Sequence, residues 1–304
     1  MAWQWDNLND NDKVLLVDRN MARDRNLFRS PSEIGDPQVG MLHNYEFCSE
    51  VITWQWPGDD RVFLVPLELF HNAKFGGLVR DVIAWCGQKF RDDHFPENRK
   101  ISAHLRGVAE GIGLSWNGGE VRQEIDKILA FARCFTIQNY RVIDELTKSG
   151  QVKGETRVIF GFINMVGRAT IRDCRAIPRN KQWYDIELSK VYCKALRQLT
   201  PAPLPVKALE VAHCAPRKIR ASIKNMAYYL AGRVPQREVR LLLPTCREIC
   251  NLVEQPAKYE YQTRQAVEKV FSSLFPIMIS DYSYVNKGYD IQLAGKLPNN
   301  RDTD

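Results

Sequence analysis

Apolar side chains recur every three or four positions in three segments of the first half of the chain, which predicts three helices with a buried face. Residues 78–90 form the first segment. A shorter helix is predicted from Ser102, a residue type that caps helix N-termini, through the apolar positions up to Ile112. After a turn at residues 114–119, a longer helix is predicted over residues 120–134. Its inward positions are Val121, Ile125, Ile128, Leu129 and Ala132.

Runs rich in β-branched and aromatic residues predict strands on both sides of these helices. Residues 45–56 end at a Pro-Gly pair, and residues 61–70 predict a second strand that runs into a helix. Residues 134–143 and 156–166 flank a loop rich in Gly, Lys and Ser, which predicts a hairpin. The order helix, helix, turn, helix and hairpin is typical of a winged-helix domain.

The second half of the chain repeats this order of elements. A strand-like start near residue 183 precedes a helix predicted over residues 220–234, and a second helix over residues 244–253 opens with a proline in its first turn. A strongly periodic helix follows over residues 258–275. Two strands then flank Asn286, Lys287 and Gly288, where Asn and Gly are expected to supply the positive φ angles of a tight hairpin.

The length of 304 residues suits two domains of ordinary size. The fold predicted from this pattern is α+β, with two tandem winged-helix (helix-turn-helix plus β-hairpin) domains. Residues 1–40 are predicted to be an N-terminal extension, residues 41–180 the first domain, which dimerises or makes auxiliary DNA contacts, and residues 181–297 the second domain, which is the main DNA reader. Residues 298–304 are predicted to be a flexible tail.

The glycine-rich stretch at residues 111–119 is not a nucleotide-binding loop. A P-loop needs a Lys and a hydroxyl residue directly after its glycines, whereas Glu120 and Val121 follow here. A dinucleotide fingerprint needs a third glycine, which the Leu114–Trp116 segment lacks. This stretch is therefore predicted to be an ordinary turn between helices, and no cofactor is expected.

Cysteine usage and hydropathy favour a cytoplasmic protein with reduced thiols. Eight cysteines are scattered through a chain whose polar, acidic start does not resemble a secretion signal. No apolar run reaches the roughly 18 residues that a membrane span requires, so no membrane partner is expected. Cys246 and Cys250 would share a helix face and could suggest a metal site, but the four-ligand spacing of a zinc site is missing. Buried structural cysteines are the preferred interpretation, with no bound metal.

The net charge of +7 suits a polyanionic partner without requiring one. Basic residues concentrate at residues 168–181 and 217–224. Such clusters can be a solvated surface or a contact with nucleic-acid phosphates. In the second interpretation, Arg217, Lys218 and Arg220 are candidate DNA-binding residues.

The helix predicted over residues 258–275 has the composition of a DNA-reading helix. Amide side chains can pair with adenine, and cations can contact guanine or phosphate. Lys287 at the hairpin tip could contact the backbone, whereas the acidic residues of the 120–134 helix predict weak DNA reading by the first domain or pairing with another protomer. Opposite the apolar stripe of the 258–275 helix lie Lys258, Tyr261, Gln262, Gln265 and Lys269, with Arg264 at the flank.

Three segments resemble the TrfA-like family of plasmid replication initiators. "GIGLSWNGGEVRQEIDKILAFARCF" is similar to the helix-turn-helix of the first winged-helix domain of that family, and "IELSKVYCKALRQL" with "SIKNMAYYLAGRV" resembles the entry to its second domain. The resemblance extends over roughly residues 60–295. It implies a protein that binds repeated origin sites (iterons), helps to melt DNA and recruits the host helicase or other replication proteins, with dimers often inactive and monomers active. The first 40 residues and the cysteine content depart from the family pattern.

Two other functions fit parts of the pattern. A winged-helix transcriptional repressor would use the same fold, because a fold does not fix a function. A metal-dependent DNA-nicking enzyme would use a tyrosine with paired histidines, but the five histidines are neither adjacent nor alternating. We therefore expect no catalytic residues and no enzyme activity.

Overall fold

The computed structural model describes residues 3–9, 12–24, 38–43, 48–56, 58–67, 77–116, 119–146, 152–172, 175–176, 183–198, 201–252 and 260–296. The helices in these ranges are α1 (Arg19–Arg23), α2 (Gly77–Asp92), α3 (Leu105–Gly111), α4 (Gly119–Cys134), α5 (Lys190–Gln198), α6 (Val206–Cys214), α7 (Arg217–Arg233), α8 (Leu243–Ile249) and α9 (Glu260–Leu274). The strands are β1 (Gln4–Trp5), β2 (Val14–Val17), β3 (Gln38–His43), β4 (Cys48–Trp54), β5 (Val62–Pro66), β6 (Lys100–Ala103), β7 (Thr136–Leu146), β8 (Val152–Gly161), β9 (Ile163–Arg168), β10 (Ile171–Arg172), β11 (Arg175–Ala176), β12 (Tyr184–Leu188), β13 (Ala202–Pro205), β14 (Glu238–Leu242), β15 (Ile279–Val285), β16 (Gly288–Leu293) and β17 (Gly295–Lys296).

The chain is α+β, as predicted, and it packs into two compact units. One unit contains both termini and is called the terminal unit here. The other is called the central unit. The terminal unit consists of Met1–Leu27, Glu110–Ser115 and Leu199–Asp304, and the central unit of Phe28–Ala109 and Trp116–Gln198.

This division differs from the predicted domain boundaries at residues 1–27, 28–40, 110–115 and 181–198. Residues 181–198, which were predicted to open the second domain, belong to the central unit because β12 pairs with both β6 and β9. Residues 1–27, which were predicted to be part of a separate extension, belong to the terminal unit because β2 pairs with β13 and β1 pairs with β17. Hydrophobic periodicity cannot predict either assignment, because pairing between strands that are far apart in sequence leaves no local pattern.

The core of the terminal unit lies between three helices and one small sheet. Alternating buried and exposed residues along β14 give the sheet an apolar inner face, and the strand order β14–β16–β15 is antiparallel throughout. Along the chain, the order is α7, β14, α8, α9, β15 and β16. The predicted inward stripe of α9 is confirmed, since Val267, Val270, Phe271 and Leu274 are buried.

The hairpin between β15 and β16 has a two-residue turn. Asn286 and Lys287 have φ angles of 46° and 58°, the pair of positive values found in a type I′ turn. The prediction that Gly288 supplies one of these angles is wrong, because Lys287 supplies it. Gly288 is needed for space instead: a Cβ atom there would lie 2.8 Å from the carbonyl oxygen of Leu241.

The central unit contains a second sheet of the same kind beside a larger one. The central unit has the element order α2, β6, α3, α4, β9 and β12, which matches α7, β14, α8, α9, β15 and β16 of the terminal unit. Its strand order β6–β12–β9 corresponds to β14–β16–β15. Between α4 and β9, the chain inserts the hairpin β7–β8. That hairpin completes the five-stranded sheet β3–β4–β5–β7–β8.

Two predictions for the central unit are corrected by this arrangement. The run at residues 156–166 is not one strand, because β8 ends at Gly161 and β9 leads into the other sheet. The predicted helix from Ser102 begins only at Leu105, since Ser102 lies in β6 and its hydroxyl donates a hydrogen bond to Asp185 of β12. Only His104 separates β6 from α3, so the sequence has no glycine or proline between them that would mark where the strand ends and the helix begins.

Replacing Gly288 by alanine tests the close approach at the hairpin. Because the new methyl group would press against the backbone of β14, Gly288→Ala is expected to lower the free energy of unfolding by roughly 1–3 kcal/mol in urea titrations. The matched control is Gly107→Ala in α3, where a Cβ atom meets nothing within 4 Å. That control is expected to be neutral or to gain about 0.5–1 kcal/mol from helix propensity. An unchanged stability of Gly288→Ala would contradict the described turn.

Candidate nucleic-acid interface

The outward face of α9 carries the residues that the sequence placed there. Gln262, Gln265 and Lys269 are exposed, and 69% of Tyr261 is accessible to solvent. The Gln265 amide donates a hydrogen bond of 2.9 Å to the Tyr261 hydroxyl, so these two side chains lie together one turn apart. The structure thus presents two amides, a phenol and a lysine on one face.

Arg264 has a different environment from the rest of this group. It is half-buried, and its guanidinium carbon lies 3.9 Å from the ring centroid of Tyr284. Its Nη2 also lies 3.4 Å from a carboxylate oxygen of Glu268. This guanidinium therefore helps to hold β15 against α9. Lys258, the remaining predicted member of the group, lies outside the described residues.

Tyrosines of the hairpin bind carboxylates of α9. The Tyr284 hydroxyl donates to Glu260 at 2.8 Å, and the Tyr289 hydroxyl lies 3.3 Å from Glu268. Burial, followed by the nearby Glu260 carboxylate, raises the pKa of Tyr284, and burial together with Glu268 raises the pKa of Tyr289. Both phenols therefore keep their protons at neutral pH and act as donors. The rings of Phe271 and Tyr289 pack edge to face, with their centroids 5.0 Å apart, and connect Tyr289 to the core.

An arginine of β14 fixes the tip of the hairpin. Arg240 forms an ion pair of 2.6 Å with Asp290 of β16, and its other terminal nitrogen donates to the carbonyl oxygens of Val285 and Asn286. The turn that these bonds hold presents Lys287, which is exposed. The predicted tip cation is therefore attached to an ordered turn.

The predicted basic cluster occupies the first turn of α7. Arg217, Lys218 and Arg220 are exposed, and Arg220 donates to the carbonyl oxygen of Ala215 at 3.3 Å. The first turn of this helix contains no acidic residue. Cations are unfavourable at a helix N-terminus, where the macrodipole is positive. The stability of the helix therefore does not explain this cluster.

A cavity beside α9 was not foreseen from the sequence. It has a volume of about 420 Å³ and is bounded by α8, the first turn of α9 and the hairpin tip. Leu242 at its edge is 54% exposed, which is unusual for a large apolar side chain. The run of three leucines and a proline at residues 241–244 was the available signal. The residues that line it are Leu242, Leu243, Pro244, Arg247, Glu260, Thr263, Asn286 and Lys287.

In the central unit, α4 occupies the position that α9 has in the terminal unit. Gln123 and Lys127 are exposed on it, together with Glu120. Asp126 accepts a hydrogen bond from the Tyr184 hydroxyl of β12, so this acidic residue of the helix has a partner within the unit. The expectation of weak DNA reading by this helix stays a prediction.

The cysteine pair proposed as a possible metal site is buried. Cys246 and Cys250 lie in and directly after α8, and neither side chain reaches solvent. Burial raises the pKa of Cys246 to about 12 and that of Cys250 well above its ordinary range. A thiolate is the form that binds metals. In the part of the chain that the structure describes, no group of three or more His, Cys, Asp or Glu residues could hold a metal ion.

Comparisons with known proteins gave two distant likenesses. No family model matches the chain, and no curated protein matches it. A crystal structure of selenomethionine derivatives of domain 2 and domain 3 of RctB is 11% identical with a TM-score of 0.49, over 91% of this chain and 98% of that one. A second, of RctB domains 2–3, is 10% identical with a TM-score of 0.43, over 84% and 90%. At TM-scores below 0.5, neither likeness assigns a fold or a function, and the TrfA-like resemblance stays a prediction.

None of the helices in the described ranges is long and apolar enough to cross a bilayer.

Thiol labelling tests the burial of the α8 cysteines. Because their raised pKa values leave almost no thiolate at pH 8, Cys246 and Cys250 are expected to react with an aromatic disulfide reagent only as fast as the terminal unit opens. Cys214 is exposed and provides the internal control, since it is expected to react within the mixing time of a manual assay. Peptide mapping of the labelled protein assigns each rate. Equal rates at Cys214 and Cys246 would contradict the buried environment.

Proposed function

We propose that the chain is a sequence-specific double-stranded DNA-binding protein that initiates plasmid replication at repeated origin sites. In this proposal, the terminal unit is a winged helix with α9 as its recognition helix and the β15–β16 hairpin as its wing. The observation that carries the proposal is the exposed face of Tyr261, Gln262, Gln265 and Lys269 on a helix fixed to a sheet.

The order of elements supports the winged-helix assignment. In a helix-turn-helix, the second helix enters the major groove and its N-terminal residues contact base edges. Here α8 and α9 take the places of the two helices, and the exposed amides occupy the first two turns of α9. Gln pairs bidentately with adenine, and Lys contacts guanine or phosphate. Gln262 and Gln265 are therefore proposed as base readers, and Lys269 as a base or phosphate contact.

The basic residues around this helix support phosphate contacts. Lys287 at the wing tip and the cluster of Arg217, Lys218 and Arg220 are exposed cations of the terminal unit. Each phosphate neutralised by a cation releases counterions, which supplies affinity that is independent of sequence. We therefore assign these four residues to the DNA backbone. Arg264 is assigned a supporting role, because its guanidinium contacts Tyr284 and Glu268.

Tandem units support the more specific role at an origin. The central unit repeats the order of elements and the strand order of the terminal unit, so one chain offers two helices of the recognition type. The initiator role itself comes from the resemblance of three sequence segments to TrfA-like proteins. It implies host replication proteins or a helicase as partners, a possible homodimer and a cytoplasmic location. The proposed activity is binding and origin opening without covalent catalysis.

Fluorescence anisotropy with the repeats beside the gene tests the DNA-binding role. Because each bidentate base contact contributes about 1–3 kcal/mol, Gln262→Ala and Gln265→Ala are each expected to weaken specific binding by roughly 5- to 150-fold while leaving binding to random duplex unchanged. Lys287→Ala is expected to weaken both kinds of binding and to lower the salt slope by about 0.9.

The matched control for the glutamines is Gln236→Ala, an exposed glutamine outside the proposed interface. It is expected to bind like the wild type. The proposed function would be excluded if the wild-type protein bound its own repeats no more tightly than random duplex and its affinity did not change with salt concentration.

A plasmid assay separates an initiator from a repressor. A plasmid that carries this gene and its flanking repeats as the sole replication system is expected to be maintained in the host, and Gln262→Ala is expected to lower its copy number. Gln236→Ala again serves as the control. If the plasmid fails to replicate while the purified protein still binds the repeats, the winged-helix repressor becomes the better assignment.

A further inference from the structure

Three arginines meet where the end of α7 packs against α1. Arg233 is the last residue of α7, and Arg19 and Arg23 are the first and last residues of α1, one helical turn apart. The Arg23 Nε donates a hydrogen bond of 2.7 Å to the carbonyl oxygen of Gly232. The two helices approach closely there, since a Cβ atom on Gly232 would lie 2.8 Å from Cγ of Arg23. The close packing of α1 against α7 thus holds the arginines in place.

Like charges surround Arg23 in this cluster. Burial lowers the pKa of Arg23, and repulsion from Arg19 and from Arg233 lowers it further. The carboxylate of Asp18 caps the start of α1, where it accepts from the Met21 amide at 2.8 Å. Asp24 also has its own interaction partner. No carboxylate of the described residues is among the groups that shift the pKa of Arg23.

Two donors in the cluster lack an acceptor. The Nε atoms of Arg19 and Arg233 are buried and form no hydrogen bond within the described part of the chain. A buried donor without an acceptor is unfavourable, and native proteins rarely leave one unless a ligand or water completes it. The cluster therefore combines like charges with unpaired donors, and an anion would satisfy both.

Capping of α7 explains only part of this arrangement. Cations near a helix C-terminus interact favourably with the macrodipole, which accounts for Arg233 and for the bond from Arg23 to Gly232. It does not account for Arg19, which is the first residue of α1 and adds repulsion to Arg23. Tyr229 adds a polar group, because its hydroxyl accepts a hydrogen bond from Arg233 and keeps its own hydrogen to donate.

We propose that Arg19, Arg23 and Arg233, with the hydroxyl of Tyr229, form a phosphate-binding site in the terminal unit. Guanidinium groups bind phosphate through paired N–H donors, and three of them match the three or four oxygens of such a group. The phosphate belongs either to a nucleic-acid backbone or to a free phosphate compound. The site is separate from the proposed base readers on α9, and its existence does not depend on them.

Thermal unfolding of the full chain in pyrophosphate tests the site. At equal ionic strength, wild-type protein is expected to melt several degrees higher in sodium pyrophosphate than in sodium chloride, because a ligand that binds only the folded state stabilises it. Arg19→Gln is expected to lose most of this rise. The matched control is Lys190→Gln, which removes one exposed charge from α5 of the central unit and is expected to keep the full rise.

The melting temperature in chloride distinguishes a ligand site from a purely structural role. Because Arg19 repels its neighbours, Arg19→Gln is expected to melt at the wild-type temperature or above it in chloride alone. A lower melting temperature in chloride would show that Arg19 stabilises the fold, and it would overturn the proposal. The same holds if pyrophosphate raises the melting temperature of wild type and Arg19→Gln equally, or of neither.

Salt titrations of DNA binding identify the source of the phosphate. If the site contacts a DNA backbone, Arg19→Gln lowers the salt slope for duplex binding by about 0.9, whereas an unchanged slope assigns the site to a free phosphate compound. Gln262→Ala is expected to retain the full response to pyrophosphate. Failure of the DNA-reading role would therefore leave the pyrophosphate result intact, and the two failures can be told apart.

Discussion

The hydrogen bonds from hairpin tyrosines to helix carboxylates are the constraint on which the rest of the terminal unit depends. Tyr284 and Tyr289 reach α9 from neighbouring strands, and they bind Glu260 and Glu268, two turns apart on the helix. Two attachment points fix both the axis of α9 and its rotation. Because the rotation is fixed, the amides of the opposite face remain turned outward. The central unit has a comparable bond between Tyr184 and Asp126, which suggests a common solution to the same packing problem.

The two units share an order of elements but differ in what they add to it. In the terminal unit, β15 follows α9 directly after residues 275–278, whereas in the central unit the hairpin β7–β8 intervenes between α4 and β9. That hairpin joins β3, β4 and β5 in a larger sheet. Aromatic packing ties this sheet to α4, since Phe135, at the end of the helix, stacks on Phe63 of β5 and on Phe162 beside β9. The central unit thus adds a five-stranded sheet to the shared elements, whereas the terminal unit adds the two-stranded sheets β2–β13 and β1–β17.

Local patterns were sufficient for the long helices and for the outward face of α9. The inward stripe from Val267 to Leu274 and the exposed amides opposite it follow directly from a period of 3.6 residues. The same reasoning failed where tertiary contacts decide. It assigned positive φ to Gly288 because glycine adopts it most easily, but the space beside β14 requires the glycine one position later and leaves Lys287 with the strained angle. It also missed the cluster of Arg19, Arg23 and Arg233, because Arg233 is far from the other two in sequence and meets them only through the packing of α7 against α1.

The pairing of β2 with β13 makes the terminal unit discontinuous in sequence. Val14–Val17 and Ala202–Pro205 form one small sheet, and the whole central unit is encoded between them. Because the chain is made from its N-terminus, β2 is synthesised long before its partner β13, which follows the end of the central unit. β2 therefore has no partner strand until β13 has been made. During this interval, its apolar edge is accessible to chaperones and proteases.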